Sequence, residues 1–374
     1  MKLSIERNPL LRSLSRALSI AQAKSSLPIL SNLLIEVDEE NDAVYVRATD
    51  LEMEVVERIP SVVRQPGAFT VSVALLHDIV RKFQDGSLIE FDHDSAQNRL
   101  KIRSARSEFA LGTIPSVDFP AVIKGEYTSS FRIKVATLRP LFEKPKFAMS
   151  AQESRFYLNG LYMHIASTDH GNVLRCVATD GHRLAQVDTP APAHSDGMPA
   201  VIVPRKAVTE IGKMSEIDDQ ELEISISDAM MRFATSEFSL TVRAIEGTFP
   251  DYTNVIPKNN TLRLEVNAKE FATAVDRVAT VSLEKSRAIK LRIENNHLAM
   301  SVRSADTGLG EEELEVRYDD EPINIGFNAQ YLYDIVSQMD QETAVLFLAT
   351  PGDPAILYEG EKTDALYVVM PMRV

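Results

Sequence analysis

The sequence predicts an α+β fold built from three repeated domains, each combining a few amphipathic helices with antiparallel sheet. Three observations carry this. First, segments recur at a fixed offset. Ala-Thr-Asp closes an alternating apolar run at 48–50 and again at 178–180, an offset of 130. Ser-Glu-Phe recurs at 107–109 and 236–238, and Phe-Pro at 119–120 and 249–250. A fainter third copy puts AMSVRSAD (299–306) against VYVRATD (44–50) and moves Asp-Ile-Val from 78–80 to 334–336, with KAVTEIGKM (206–214) at the matching place in the middle copy. Second, most of the chain alternates apolar and polar residues with the period of a half-buried strand. Third, the few helical patterns are short and one-faced. A repeat of about 120–130 residues can bury its own core, so the pattern reads as duplicated domains.

Each repeat opens on a strand: MKLSIE (1–6), SSFRIKV (129–135) or LRLEVN (262–267). The first helix is expected over 8–24, with Asn8 as N-cap and Pro9 at the first helical position. Leu10, Leu11, Leu14 and Leu18 form its expected apolar stripe, with Arg12 and Arg16 on another face. Two strands follow over 33–50 around a turn at DEEND (38–42), then a second helix at VALLHDIVRKF (73–83). A strand meander covers 87–114, turning at DHDSAQN (92–98); 221–245 and 289–305 repeat it. The turn-rich segments 118–130 and 254–261 are the expected linkers, giving domains 1–125, 126–256 and 257–374.

Composition is that of a globular protein, 44% hydrophobic and 25% charged over 374 residues. The single cysteine, Cys176, can form neither an internal disulfide nor a multi-cysteine metal site, which fits a cytoplasmic location. No apolar run has signal-peptide or membrane-span length, so no membrane association is expected. The net charge of −14 lowers the expectation of nucleic-acid binding, although a local basic patch is compatible with an acidic whole.

No phosphate-loop, dinucleotide, zinc-protease, hydrolase-elbow or CxxC motif occurs. Asp92-His93-Asp94 reads as a solvated turn rather than a metal site. The densest polar cluster is VATDGHRLAQVD (177–188), where Asp180 and His182 raise three readings: a hydrolase dyad, a structural turn, or a non-catalytic binding site. Asp50 occupies the same place in the first repeat without the His or Arg, which favours a shared strand-end role for Asp180. Only Gly181, His182 and Arg183 are special to the second repeat, and no nucleophile motif accompanies them.

VATDGHRLA, FPDY (249–252) and the terminal YVVMPMRV (367–374) together closely resemble the bacterial DNA polymerase III β sliding-clamp family. SSLPILSNLL (25–34), TDLEME (49–54), FYLNG (156–160) and VIVPRK (201–206) extend the resemblance in order along the chain. It implies a DNA clamp fold: three domains of two small helix-plus-sheet units each, two protomers joining head to tail into a ring around duplex DNA. It implies a processivity factor without enzymatic activity or cofactor, opened by an ATP-driven loader. A DNA-independent multidomain adaptor is the reading that this resemblance displaces.

The resemblance also implies three sites. Sequence-independent DNA contacts would come from Lys24, Gln152, Arg205 and Lys206, with Arg12, Arg16, Arg81, Lys82, Lys213, Lys269 and Arg277 as further cations in or beside helices. The dimer edges would pair Arg103, Arg106 and Phe109 with Thr280, Val281, Glu311, Glu312, Glu313 and Glu315. Glu108 departs from members with a basic residue there and would weaken or re-route the ion pairing. A groove would take Leu and Phe side chains from short linear motifs of the polymerase α subunit, the loader and repair polymerases. Arg155, Tyr157 and Leu158 would line it, Thr179, Gly181, His182, Arg183 and Leu184 would form floor and wall, and Pro250, Asn254 and Val255 would follow. Pro354, Val368, Met370, Pro371, Met372 and Arg373 would close it. Asn254 stands where some members carry a cation for a peptide carboxylate. Burying one Leu and one Phe at roughly 1.5–3 kcal/mol each, less ordering costs, points to exchangeable binding on the order of micromolar.

Overall fold

The structure, a computed structural model, describes residues 1–21, 26–38, 42–121, 123–214, 219–282, 288–304 and 307–373. Lys24 lies outside the described residues, as does part of the DEEND turn. Among the described residues six α-helices accompany four antiparallel sheets. The helices are α1 (Arg7–Ile20), α2 (Val73–Val80), α3 (Val135–Glu143), α4 (Arg205–Gly212), α5 (Ala268–Ala279) and α6 (Ala329–Val336). None of them is long and apolar enough to cross a membrane.

Packing divides the chain into two compact units that do not follow the three repeats. The first holds Met1–Val135, Ala193–Pro199 and Lys213–Ala244; the second holds Ala136–Pro192, Ala200–Gly212 and Ile245–Val374. In the first unit, an eight-stranded sheet is sewn together where strand Phe238–Arg243 pairs with Met53–Pro60, from Phe238↔Glu57 to Val242↔Met53. In the second, strand Arg183–Pro190 pairs with Lys362–Val369, from Arg183↔Val369 to Val187↔Ala365. Each seam joins strands of different repeats. One part of the middle repeat thus completes the first repeat's sheet and another completes the third's, covering edges that would otherwise be exposed.

The strands follow their pattern. Arg99–Ser104 buries Leu100 and Ile102 and turns Lys101 and Arg103 outward. Helix starts are capped where the residue type permits: Asn267 accepts from Glu270 N at 3.0 Å and Asn328 from Gln330 N at 2.9 Å. At α1 the expected cap does not form. The strand Lys2–Glu6 runs directly into the helix, so Asn8 lies inside the first turn, and the Ser87 carbonyl accepts the Arg7 N–H at 2.9 Å. A tertiary acceptor replaces the local cap. The buried stripe of α1 is Leu10, Leu14, Ala17 and Ile20, while Leu18 is exposed. The strand Leu88–Asp94 runs three residues into the expected DHDSAQN turn, because Asp92 still pairs with Lys2 across the sheet. His93 is held there by Thr113 Oγ1 at 3.1 Å. Among the described residues no His/Cys/Asp/Glu cluster could hold a metal.

Candidate protein-interaction site

The cluster at 177–188 sits at the end of strand Gly171–Thr179, in a turn found twice in the chain. Asp180 Oδ1 accepts from His182 N at 2.9 Å and Arg183 N at 3.1 Å, while Thr179 Oγ1 accepts from Gly181 N and donates to Arg183 O. Asp50 Oδ1 accepts from Glu52 N at 3.1 Å and Met53 N at 2.7 Å, with Thr49 repeating the role of Thr179. The next residue has positive φ in both copies, 78° at Leu51 and 90° at Gly181. A β-carbon on Gly181 would also lie 2.9 Å from Arg155 Nη1, so only glycine lets Arg155 come this close. The Asp180 carboxylate is thus engaged with backbone and with Arg183, not aimed at an imidazole.

Arg183 is a pin. Its guanidinium donates to Asp180 Oδ2 at 3.1 Å, Asp334 Oδ2 at 2.5 Å and Phe147 O at 2.8 Å. It lies over the Phe147 and Tyr331 rings, 4.9 and 4.4 Å from their centroids, and the side chain is 11% exposed. Beside it His182 stacks on Tyr331 at 6.2 Å. Arg183 therefore shapes the wall from behind. Arg183→Ala would leave Asp334 and Asp180 without their cation in a half-dry setting, and is expected to cost about 3 kcal/mol, read from the denaturation midpoint of the full chain. An unchanged midpoint would show that the pin contributes no stability.

Several of the expected groove residues belong to a buried apolar cluster. Leu158, Leu184, Val368, Phe249 and Tyr252 are buried in one cluster with Val177, Ile202, Ile356 and Leu366, and Tyr157 packs against it. Val255 and Met370 are 49% and 41% exposed and share one cleft. They line this cleft of about 340 Å³ with Asn254, Ile256, Pro257, Lys258, Asn260, Asp353 and Pro354, so that of the expected groove residues Asn254, Val255, Pro354 and Met370 meet at this cleft. Pro250 is exposed and does not line it. The tail is tied at two points: Met370 N donates to His182 O at 2.9 Å and Met372 N to Gly326 O at 2.8 Å. Pro371 between them is half-buried and Arg373 beyond them is exposed. The Asn254 amide is spent on Asp251 Oδ2 at 2.8 Å, so that position offers a turn lock where a cation would offer charge. Hydrogen bonds from Thr253 and Asn254 hold the Asp251 carboxyl below its ordinary range.

The other expected site residues have distinct surroundings. Gln152 is exposed, and Arg205 Nη2 donates to the Met149 and Ser150 carbonyls at 2.8 and 2.9 Å. Arg205 is thus partly consumed by the segment leading to Gln152; Lys206 follows it at the start of α4. Arg16 pairs with the buried Glu57 at 3.1 Å, and desolvation raises the Glu57 pKa. In the first unit, Ser107–Gly112 is one of the two edge strands of its five-stranded sheet and Phe109 is 38% exposed on it. There Arg103 Nε donates to Glu108 Oε2 at 2.8 Å, a hydrogen bond that lowers the Glu108 pKa, and Arg106 stays exposed. In the second unit, Gly308–Glu315 is also an edge strand. Glu311, Glu313 and Glu315 point outward from it, Glu312 pairs with Arg277 at 3.1 Å, and Val281 packs against Gly310 beside Thr280.

Three family models cover nearly the whole chain: the N-terminal domain of the DNA polymerase III beta subunit at 1–123, the central domain at 132–251 and the C-terminal domain at 253–373. The chain belongs to the DNA polymerase III β-subunit family. It is 40% identical over 374 residues to the beta sliding clamp of Caulobacter vibrioides and 35% identical over 379 residues to that of Escherichia coli K12, each match spanning 100% of both chains. A crystal structure of a DnaN sliding clamp from Bartonella birtlesii, bound to griselimycin, superposes with a TM-score of 0.95 at 41% identity over 100% of both chains. The protein is accordingly a DNA sliding clamp and processivity factor, working with DNA and polymerase, and not an enzyme. The hydrolase reading of Asp180 and His182 is set aside. Sequence reasoning missed Phe147, Tyr331 and Asp334, the partners of Arg183. Nothing local marks them, because Asp334 is 151 positions away.

Proposed function

We propose that this clamp recruits its partners through the cleft between Tyr252–Val255 and the C-terminal tail. The supporting observation is the pair of exposed apolar side chains, Val255 and Met370, on one cleft. Short motifs of the polymerase α subunit, the clamp loader and repair polymerases would insert a Leu and a Phe there. Methionine adapts to several shapes, which suits a site shared by many motifs. The edges Ser107–Gly112 and Gly308–Glu315 would pair head to tail between two protomers, Phe109 meeting Thr280 and Val281, Arg106 meeting the acidic row, and Glu108 already holding Arg103. The ring so closed would be a cytoplasmic homodimer that slides on duplex DNA through Lys24, Gln152, Arg205 and Lys206 without reading bases. The domains would be those at 1–125, 126–256 and 257–374.

Retention on DNA tests the ring. After loading, the protein is expected to stay on closed circular DNA through a wash at about 0.5 M salt, where phosphate contacts are weak, and to leave when the circle is cut. Equal retention on circular and linear DNA would contradict topological linkage.

A further inference from the structure

Behind the groove wall lies a chain of polar side chains that no role yet covers. His164, Arg175 and Asp188 are register partners on three adjacent strands, His164↔Arg175 and Arg175↔Asp188, so all three project from one face of the sheet. Tyr252, 6% exposed, closes over them from the segment Tyr252–Val255 that carries Asn254 and Val255 into the cleft. Arg175 holds Asp188 with two bonds, at 2.8 and 2.7 Å, and its third nitrogen is 3.4 Å from Tyr252 Oη. Tyr252 Oη is 3.0 Å from His164 Nε2, and His164 Nδ1 is 3.0 Å from the Ile165 carbonyl.

The proton positions follow from chemistry. A carbonyl only accepts, so Nδ1 carries the hydrogen and Nε2 has a lone pair. The Tyr252 hydroxyl therefore donates to Nε2 and accepts from Arg175. Donation runs one way, Arg175 to Tyr252 to His164 to Ile165. We propose that His164 and Arg175 are positioning residues for partner binding: through Tyr252 they hold the Val255 wall of the groove in place, and protonation of His164 releases it. This rests on the groove reading above.

A protonated His164 would present a second donor to the Tyr252 oxygen and leave the hydroxyl proton facing the apolar cluster of Phe249, Tyr162 and Val177. Tyr252 could then keep its place only with an unsatisfied buried group. The charged or titratable groups around His164 are Arg175 and Asp188 on the neighbouring strands, Tyr162 on its own strand and Tyr252 above; strand Val201–Pro204 on the other side contributes none. Burial lowers the His164 pKa from its ordinary value of 6.5 against the opposing pull of the Ile165 carbonyl, with Arg175 lowering it further and Asp188 opposing. The folded state thus prefers neutral His164. Its contribution is complete above pH 6.5 and is lost as pH falls through and below that value.

The test is anisotropy of a labelled, end-blocked Gln-Leu-Xaa-Leu-Phe peptide against the full chain between about pH 5.5 and about pH 7.5. The wild type is expected to weaken about tenfold on acidification. His164→Gln, which still accepts from Tyr252, is expected to bind within about twofold of wild type at the upper pH with a flatter profile. Tyr252→Phe is expected to bind about fivefold more weakly there. His182 is present in all three proteins, so the difference between profiles isolates His164. Superimposable profiles for wild type and His164→Gln, or wild-type affinity in Tyr252→Phe, would overturn the positioning role while leaving the groove intact. No binding by the wild type at any pH would sink the groove reading and this one with it.

Discussion

Removing residues 370–374 is expected to weaken binding of a Gln-Leu-Xaa-Leu-Phe peptide by about a hundredfold or more, with the melting temperature lowered by only a few degrees. The two consequences separate because of where the tail is attached. The last strand, Lys362–Val369, keeps its pairing with Arg183–Pro190 and Ala355–Glu359. The deletion forfeits two backbone hydrogen bonds, Met370 to His182 and Met372 to Gly326, on the order of 1 kcal/mol each. The cleft, in contrast, loses the Met370 side of its lining while the Val255 side stays. An inserted Leu or Phe would then face water on one side, and a loss of about 2.7 kcal/mol corresponds to a hundredfold. Anisotropy and a thermal melt on the same preparation read both quantities. Unchanged affinity after truncation would place the peptide site elsewhere.

Phe109→Asp is expected to convert the protein from a dimer to a monomer, with light scattering giving about the chain mass of 41.6 kDa instead of twice that. It should also abolish retention on circular DNA. Phe109 is already 38% exposed and touches Phe83 edge-on at 5.9 Å, so the change costs the isolated protomer little. Across the proposed interface it would remove an aromatic anchor, a loss of about 2–4 kcal/mol at a typical hot spot. It would also set a carboxylate against Glu311, Glu313 and Glu315. The Arg103–Glu108 pair sharpens this expectation. With Arg103 engaged inside the protomer, fewer cations remain to offset the acidic edge, and the apolar centre carries more of the association. A dimer that survives Phe109→Asp would show that these edges do not form the interface.

Several features were legible along the chain. The offset of 130 exposed the repeats, and strand alternation located most of the sheet. The Thr-Asp turn was legible for the same reason: its hydrogen bonds span only two to four residues, so 49–53 and 179–183 carry it in the sequence itself. Asn8 misled because an N-cap preference competes with whatever acceptor the fold supplies, and Ser87 supplies one. Leu18 misled because a leucine count cannot tell which side of a helix meets the core; Ala17 and Ile20 face inward instead. Arg205, expected to face DNA, and Arg183, expected in the groove wall, are both held by carbonyls or carboxylates of distant segments.

By itself, then, the sequence determined everything set by neighbours within a few residues: the periodicity of the strands, the short one-faced helices, the twin turns, and the absence of catalytic motifs. Only the tertiary structure decided that the middle repeat is shared between two sheets, that Arg183 reaches Asp334, and that His164 lies under Tyr252 across 88 positions. The physical reason is one of range. Backbone preference and side-chain period are local energies written residue by residue. Which strand edge meets which, and which cation meets which carboxylate, follows from burying all apolar faces and satisfying all polar groups together, and no single stretch of chain encodes that sum.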